Sequence, residues 1–132
     1  LSAVMGASGS GKTSLLSLLR GLQASNSGFR GRVLCNRKVV TAGRMRDVCT
    51  FVAQHDVYLP ALTPRETLGY IAELRLPLKF TAEQRNARVD AVLDLLQMKS
   101  CADSRIGDPK LGQGGCSGGE KKRLSIATAI IG

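Results

Sequence analysis

Apolar and polar positions along this chain change rhythm near its middle. Leu1–Met5 reads as the tail of a buried strand, and Gly6–Gly11 as a polar glycine-rich loop. From Lys12 to Leu22 the period is helical, with Leu15, Leu18, Leu19 and Leu22 at i, i+3, i+4 and i+7 on one face. Ala24–Gly28 is a polar turn. Arg32–Cys35 and Lys38–Thr41 read as two short strands joined at Asn36-Arg37. Asn tolerates the positive φ of such a turn, whereas Arg is a poor choice for it. Val48–Ala53 is apolar and β-branched, a strand candidate ending at Gln54.

From Thr63 onward helical signals dominate. Thr63-Pro64-Arg65-Glu66 has the form of a capping box with Pro at the first helical position, where its missing N–H does no harm. Leu68, Ile71 and Ala72 then share a face. Thr81-Ala82-Glu83-Gln84 is a second capping box, and the helix it opens has Val89, Val92, Leu93 and Leu96 at helical spacing. Met98–Gly115 is a loop rich in Gly and Asp. Ser117-Gly118-Gly119-Glu120 is formally a third capping box, leading a helix whose apolar face is Leu124, Ala127 and Ile131. The pattern predicts an α/β fold in which strands and one helix come first and a helical insert follows.

Composition narrows the class. With 43% hydrophobic and 22% charged residues, the 132 residues could bury one core of ordinary size. The longest apolar runs, Ser14–Leu19 and Ser125–Gly132, are far short of the roughly 20 residues that span a bilayer. No signal peptide is visible, because a polar loop follows Leu1 within a few residues. Both ends look cut: Leu1–Met5 is already strand-like, and Ser125–Gly132 is apolar and helical up to the last residue. A piece of a larger domain is therefore expected. The net charge of +9 is uneven, with eight Lys/Arg against one Asp/Glu in residues 1–54 and eleven against nine in residues 55–132. The basic residues are scattered and not interleaved with aromatics, so no nucleic-acid partner is expected. Cys35, Cys49, Cys101 and Cys116 have neither CxxC nor metal-ligand spacing and read as thiols in a reducing compartment. His55 builds no convincing metal site with them.

The chemistry lies in two glycine-rich stretches. Gly6-Ala7-Ser8-Gly9-Ser10-Gly11-Lys12-Thr13 fits GxxxxGK[ST], and Ser14 follows it. Glycines let the backbone wrap a phosphate in conformations that a Cβ forbids. The N–H groups of Gly6–Gly11 then form an anion nest, and the helix beginning near Lys12 adds the positive end of its dipole. Lys12 supplies a mobile charge for the β- and γ-phosphates, and Thr13 a hydroxyl for Mg²⁺. An apolar strand before and an amphipathic helix after fit the same reading. The loop points to a nucleoside triphosphate but does not by itself separate kinases, GTPases, helicases and transport ATPases.

In the second stretch, Ser117 caps a helix whose next two residues are glycines. Each glycine costs about 1 kcal/mol of helix stability against Ala. The pair makes sense if a ligand must approach the backbone closely, as a γ-phosphate would, with the Ser117 hydroxyl and the Gly119 N–H as donors. Glu120 braces the cap in this reading. The plainer alternative is an ordinary capped helix with a tight entry.

Together the two stretches carry a resemblance. Cys116-Ser117-Gly118-Gly119-Glu120-Lys121-Lys122-Arg123 resembles the signature motif of ATP-binding cassette (ABC) ATPases, with a Walker A loop some hundred residues upstream. Phe51-Val52-Ala53-Gln54-His55-Asp56 resembles the Q-loop of that family. The segment from Asp56 to Leu68 and the basic run after the signature resemble the G-type subfamily, exporters of sterols, lipids, pigment precursors and drugs. The resemblance covers essentially the whole chain. Cys116 stands where an aliphatic residue is usual, Glu120 where Gln is commoner, and Arg37 where this hairpin often has Gly.

The resemblance implies a P-loop NTPase core of the ABC type, truncated, with an inserted α-helical subdomain. Residues 1–54 would be the core portion from Walker A to Q-loop, 55–116 the helical subdomain that touches a membrane-spanning part, and 117–132 the signature motif and its helix. The implied cofactors are ATP and Mg²⁺. Gly6, Ala7, Ser8, Gly9, Ser10, Gly11, Lys12, Thr13 and Ser14 would hold the nucleotide, Thr13 and Gln54 the metal, and Lys12 and Gln54 would act in catalysis. Ser117, Gly118, Gly119 and Glu120 would contact ATP held by a second cassette arranged head to tail. A complete site would therefore need that second nucleotide-binding domain. The transmembrane domain of the same transporter would place the assembly on the cytosolic face of a membrane. The Walker B Asp, the catalytic Glu and the switch His of the family normally follow the signature helix, beyond Gly132, so these residues alone are expected to hydrolyse no ATP. Two other readings are a soluble ABC-type ATPase and a nucleotide-binding regulatory module without hydrolysis. A P-loop kinase fits poorly with Ser117–Glu120.

Overall fold

Helix punctuation sets the architecture of the second half of the chain. The computed structural model describes residues 2–20, 31–54, 57–108, 112 and 114–132. Helix α3 (Pro64–Arg75) starts at Thr63, whose side chain accepts from the Glu66 amide while the Glu66 carboxylate accepts from the Thr63 amide at 2.8 Å. Helix α4 (Ala82–Leu95) repeats the device with Thr81 and Gln84, and α5 (Gly118–Ile130) with Ser117 and Glu120. In each, two amides that the helix itself leaves without partners are satisfied reciprocally.

These helices share one core. Leu68 and Ala72 of α3, Val89, Val92 and Leu93 of α4, and Leu124 and Ala127 of α5 are buried together, as the periodicity predicts, with Ile71 and Leu96 packed at the margin. Full burial of one such large side chain contributes about 1.5–3 kcal/mol. The stretch from Met98 to Gly115, read from the sequence as loop alone, also contributes core. A 3-10 turn at Lys99–Cys101 follows α4, and Met98, Cys101, Ala102 and Ile106 are buried under the helices. Arginines of α3 and α4 finish α5: Arg75 donates to the Thr128 carbonyl at 2.7 Å, and Arg88 to those of Ile130 and Ile131 at 2.8 and 3.1 Å. Cations on terminal carbonyls oppose the negative end of the helix dipole.

The chain divides into two compact units, Leu1–Phe51 and Val52–Gly132. In the first, helix α1 (Lys12–Leu19) follows the glycine loop, strands β1 (Leu34–Cys35) and β2 (Lys38–Val39) form an antiparallel hairpin, and helix α2 (Ala42–Val48) comes next. Asn36 and Arg37 connect the strands with φ of 50° and 64°, so the two-residue turn forms despite the unsuitable Arg.

The first unit also departs from expectation. Residues 2–5 lie in no ladder among the described residues, and Met5 is 89% exposed instead of buried. Val48–Ala53 is not a strand: Val48 ends α2, and residues 49–53 lie in no strand ladder among the described residues. Leu15 and Leu19 on the predicted face of α1 are more than 40% exposed. One physical cause covers all three. Apolar runs of this kind are stabilised by neighbouring strands and by a sheet to pack on, and the described ladder is two residues long on each side. Helix α2 was not expected from the sequence, although its Ala, Arg and Met are good helix formers, and it shares only Val48 with the expected strand. The turn expected at Ala24–Gly28, Leu22 of the α1 face, Leu1, His55 and Asp56 fall outside the described residues.

Candidate functional site: two glycine-tipped helix ends

The first helix tip is built by backbone conformation. Gly9 and Gly11 have φ of 79° and 87°, a left-handed geometry natural to glycine. Between them the Ser10 amide closes a turn on the Ala7 carbonyl at 3.2 Å. Gly11 is the N-cap of α1 and offers no side-chain oxygen, so the first amides of the helix have no side-chain partner. The Lys12 ammonium folds back over the loop, donating to the carbonyls of Gly6 at 2.8 Å and Ala7 at 2.6 Å and to Ser10 Oγ at 3.3 Å. Thr13 and Ser14 are exposed beside it. Uncapped amides, a lysine poised across the loop and a free-standing hydroxyl form a donor set matched to a phosphate chain with its metal.

The second tip is held by the fold around it. Ile106 and Gly107 run between two other segments. Their amides donate to Leu62 and Pro60 carbonyls at 2.8 and 3.0 Å, and the Cys116 amide donates to the Ile106 carbonyl at 3.0 Å. A Cβ on Gly107 would strike the Gly114 carbonyl, and one on Gly115 the Ile106 carbonyl, so the loop enters α5 by backbone-to-backbone contact. At the tip itself Ser117 Oγ donates to Glu120 Oε2 at 2.8 Å and accepts from the Glu120 amide at 3.3 Å. The Ser117 amide, and then its hydroxyl, hold the Glu120 carboxyl below the usual carboxylate range. Gly118 and Gly119 are exposed, and a side chain at 118 would meet nothing within 4 Å. The amide face of α5 is thus open to an approaching group.

Sequence reasoning missed the anchors of this second tip. Tyr58 Oη donates to the Lys121 carbonyl at 3.2 Å, Lys121 Nζ to the Gly107 carbonyl at 2.8 Å, and Lys122 Nζ to the Ala53 carbonyl. Ala53 is the neighbour of Gln54, which is itself exposed. The stretch around Gln54 is therefore tied to the start of α5 within the second unit. The only sequence signal was the basic run after Glu120. Lys12 and its loop belong to the first unit, Gln54 and Ser117–Glu120 to the second.

Two buried thiols lie behind the tip. Burial, followed by the charge of Glu120, pushes the Cys101 thiol up to about 11, and burial raises Cys116 as well. Cys35 and Cys49 are exposed. Among the described residues no helix is long and apolar enough to cross a membrane.

A nucleotide-type loop and a second, open glycine-tipped helix on one chain are the two marks of a cassette ATPase, and comparison with known proteins agrees. The ABC transporter family model matches residues 1–132, and the chain belongs to that family, with the P-loop NTPase fold the family implies. Its relatives are of the G type. It is 41% identical over 98% of its length to ABC transporter G family member 2 of Arabidopsis thaliana, covering 17% of that protein. It is 44% identical over 99% of its length to Protein white of Drosophila melanogaster, and 37% identical over 98% to ATP-binding cassette sub-family G member 8 of Homo sapiens, covering 19% of each. The chain thus spans about a fifth of the length of these relatives.

Proposed function

We propose that this chain is the ATP-binding portion of a G-type exporter, coupling ATP binding and hydrolysis to transmembrane export of a lipid-like or otherwise hydrophobic small molecule. The observation that carries the reading is the pair of helix tips, one uncapped behind Lys12 and one open at Gly118. Residues 6–14 would hold the phosphates of ATP, and Thr13 and Gln54 the Mg²⁺. The metal would neutralise phosphate charge and orient the attacking water. Lys12 would leave the carbonyls of Gly6 and Ala7 for the terminal phosphates. Ser117, Gly118 and Gly119 would face the nucleotide of a second cassette, with Glu120 bracing the cap. Each triphosphate would then bridge two positive helix ends, a contact that weakens when the γ-phosphate leaves. The helical insert over residues 55–116 would pass that change to a membrane domain, which keeps the assembly at the cytosolic face.

Association driven by Mg·ATP tests this reading. In sedimentation experiments the chain should self-associate when Mg·ATP is added. Lys12→Ala should abolish both nucleotide binding and association, and Ser117→Arg association alone. A one-to-one mixture of the two variants keeps one intact composite site and should recover part of the association. No phosphate release is expected, because the family's Walker B Asp, catalytic Glu and switch His are not among these 132 residues. Association that ignores Lys12→Ala, or turnover by the chain alone that Lys12→Ala abolishes, would contradict the proposal.

A further inference from the structure

The side chains of Cys101, Cys116 and Glu120 meet behind the α5 tip. Their ligand atoms, two Sγ and a carboxylate oxygen, all lie within 4.8 Å of one another. Both cysteines are buried, 7% and 6% exposed, and two stretches of chain bring the group together, the 3-10 turn that holds Cys101 and the entry to α5 that holds Cys116 and Glu120. Cys101 closes the 3-10 turn after α4, with its amide 3.2 Å and its Sγ 3.4 Å from the Met98 carbonyl. Cys116 is fixed by its amide bond to Ile106, and its Sγ lies 3.9 Å from the Arg105 carbonyl. Glu120 is fixed through Ser117.

From this cluster we infer that the chain carries a site for a thiophilic d10 cation of the zinc and cadmium type, ligated by Cys101, Cys116 and Glu120. The inference is independent of the ATP reading. Two thiolates and one carboxylate are a ligand set that such ions accept, with a solvent molecule completing a tetrahedron. In a tetrahedral zinc site, sulfurs about 2.3 Å from the metal lie about 3.8 Å apart, so the trio needs only modest closing. Two protons leave the thiols on binding. Arg123 and Lys121 stand near enough to offset the remaining negative charge, acting on Glu120 and Cys116 respectively. Because Glu120 also caps Ser117, occupancy would bear directly on the geometry of the helix tip.

The probe is cadmium, titrated into the full chain carrying Cys35→Ser and Cys49→Ser, which removes the exposed thiols. The expected result is one equivalent of Cd²⁺ bound, with an ultraviolet sulfur-to-cadmium charge-transfer band and a raised midpoint of thermal unfolding. Adding Cys101→Ser or Cys116→Ser should remove the band. Glu120→Gln keeps the cap, because Gln serves at that position. It should weaken binding by roughly tenfold or more, since even outer-shell losses at metal sites cost about 10–100-fold. Circular dichroism of each variant separates loss of the site from loss of the fold. The inference is overturned if the band is absent, if it survives both serine variants, if affinity is unchanged in folded Glu120→Gln, or if the two thiols purify joined as a disulfide.

Discussion

At Gly107 two constraints meet in one residue. Its φ of 65° suits glycine, and a Cβ would collide with the Gly114 carbonyl, a backbone atom that cannot swing aside. Gly107→Ala should therefore cost at least about 2 kcal/mol, well above a surface substitution, and chemical denaturation would measure it. A cost below about 0.5 kcal/mol would show that the two loop segments do not lie in contact. By contrast, Arg65 pairs with Asp103 at 2.7 Å and with Asp90, yet these side chains are 40–72% exposed, so each pair should contribute no more than about 1 kcal/mol. The thiols offer a second test at this scale. In metal-free chain at neutral pH, an alkylating agent followed by mass spectrometry should label Cys35 and Cys49 well before Cys101 and Cys116, because the second pair is buried and its pKa values are raised. Equal rates would mean the core around Met98 and Ile106 is open. The sequence placed Cys116 beside the signature but gave no sign that Cys101, fifteen residues earlier, would share its pocket. That meeting depends on the path of a loop, which has no periodicity to read.

Capping boxes are the elements that sequence reveals best, because cap, polar partner and apolar face lie within a few turns of each other. Thr63, Thr81 and Ser117 all begin helices where their four-residue patterns place them, and the faces behind them are buried. Local chemistry decides these starts, and loss of a Thr cap costs about 1 kcal/mol. Strands were harder to read for the converse reason. A run such as Val48–Ala53 becomes a strand only when a distant segment pairs with it, and the described chain supplies none. The arginine caps on the last carbonyls of α5 were equally invisible, since Arg75 and Arg88 are 53 and 43 residues from their acceptors. Helix α5 also carries a pH dependence. The ordinary carboxyl value is 4.5 and that of Glu120 in the folded chain is lower. Its stabilising contribution is therefore complete above about pH 4.5 and disappears as pH falls through the depressed value. Amide exchange at the first turn of α5, followed from about pH 6 to about pH 2 and corrected for intrinsic rates, should show protection lost at the acid end, and Glu120→Gln should flatten that loss. Protection that falls equally in both chains would assign it to another group.

At the scale of the whole molecule, the two units divide the work that the motifs imply. One carries the loop that would receive a triphosphate. The other carries the tip that would close over a neighbour's triphosphate, together with the tether from Lys122 to Ala53 that fixes the neighbourhood of Gln54. Both motifs were legible in the sequence: the spacing of glycines and one lysine marks the first, and the second, an ordinary helix cap when read alone, gains its meaning from the first. What the motifs could not reveal was the support behind them, the crossing of residues 106–107 with 114–116 that aims α5. The ABC transporter family model matches all 132 residues, in agreement with the family resemblance that the motifs carry. The central claim is that amides at both tips meet phosphate, the second only across a pair of chains. Amide chemical shifts during a Mg·ATP titration test it most directly. The account predicts that residues 6–13 shift at every chain concentration, that Ser117–Glu120 shift only as concentration rises, and that Lys12→Ala removes both responses. Unmoved amides at 6–13, or a response at 117–120 that is independent of concentration, would contradict it.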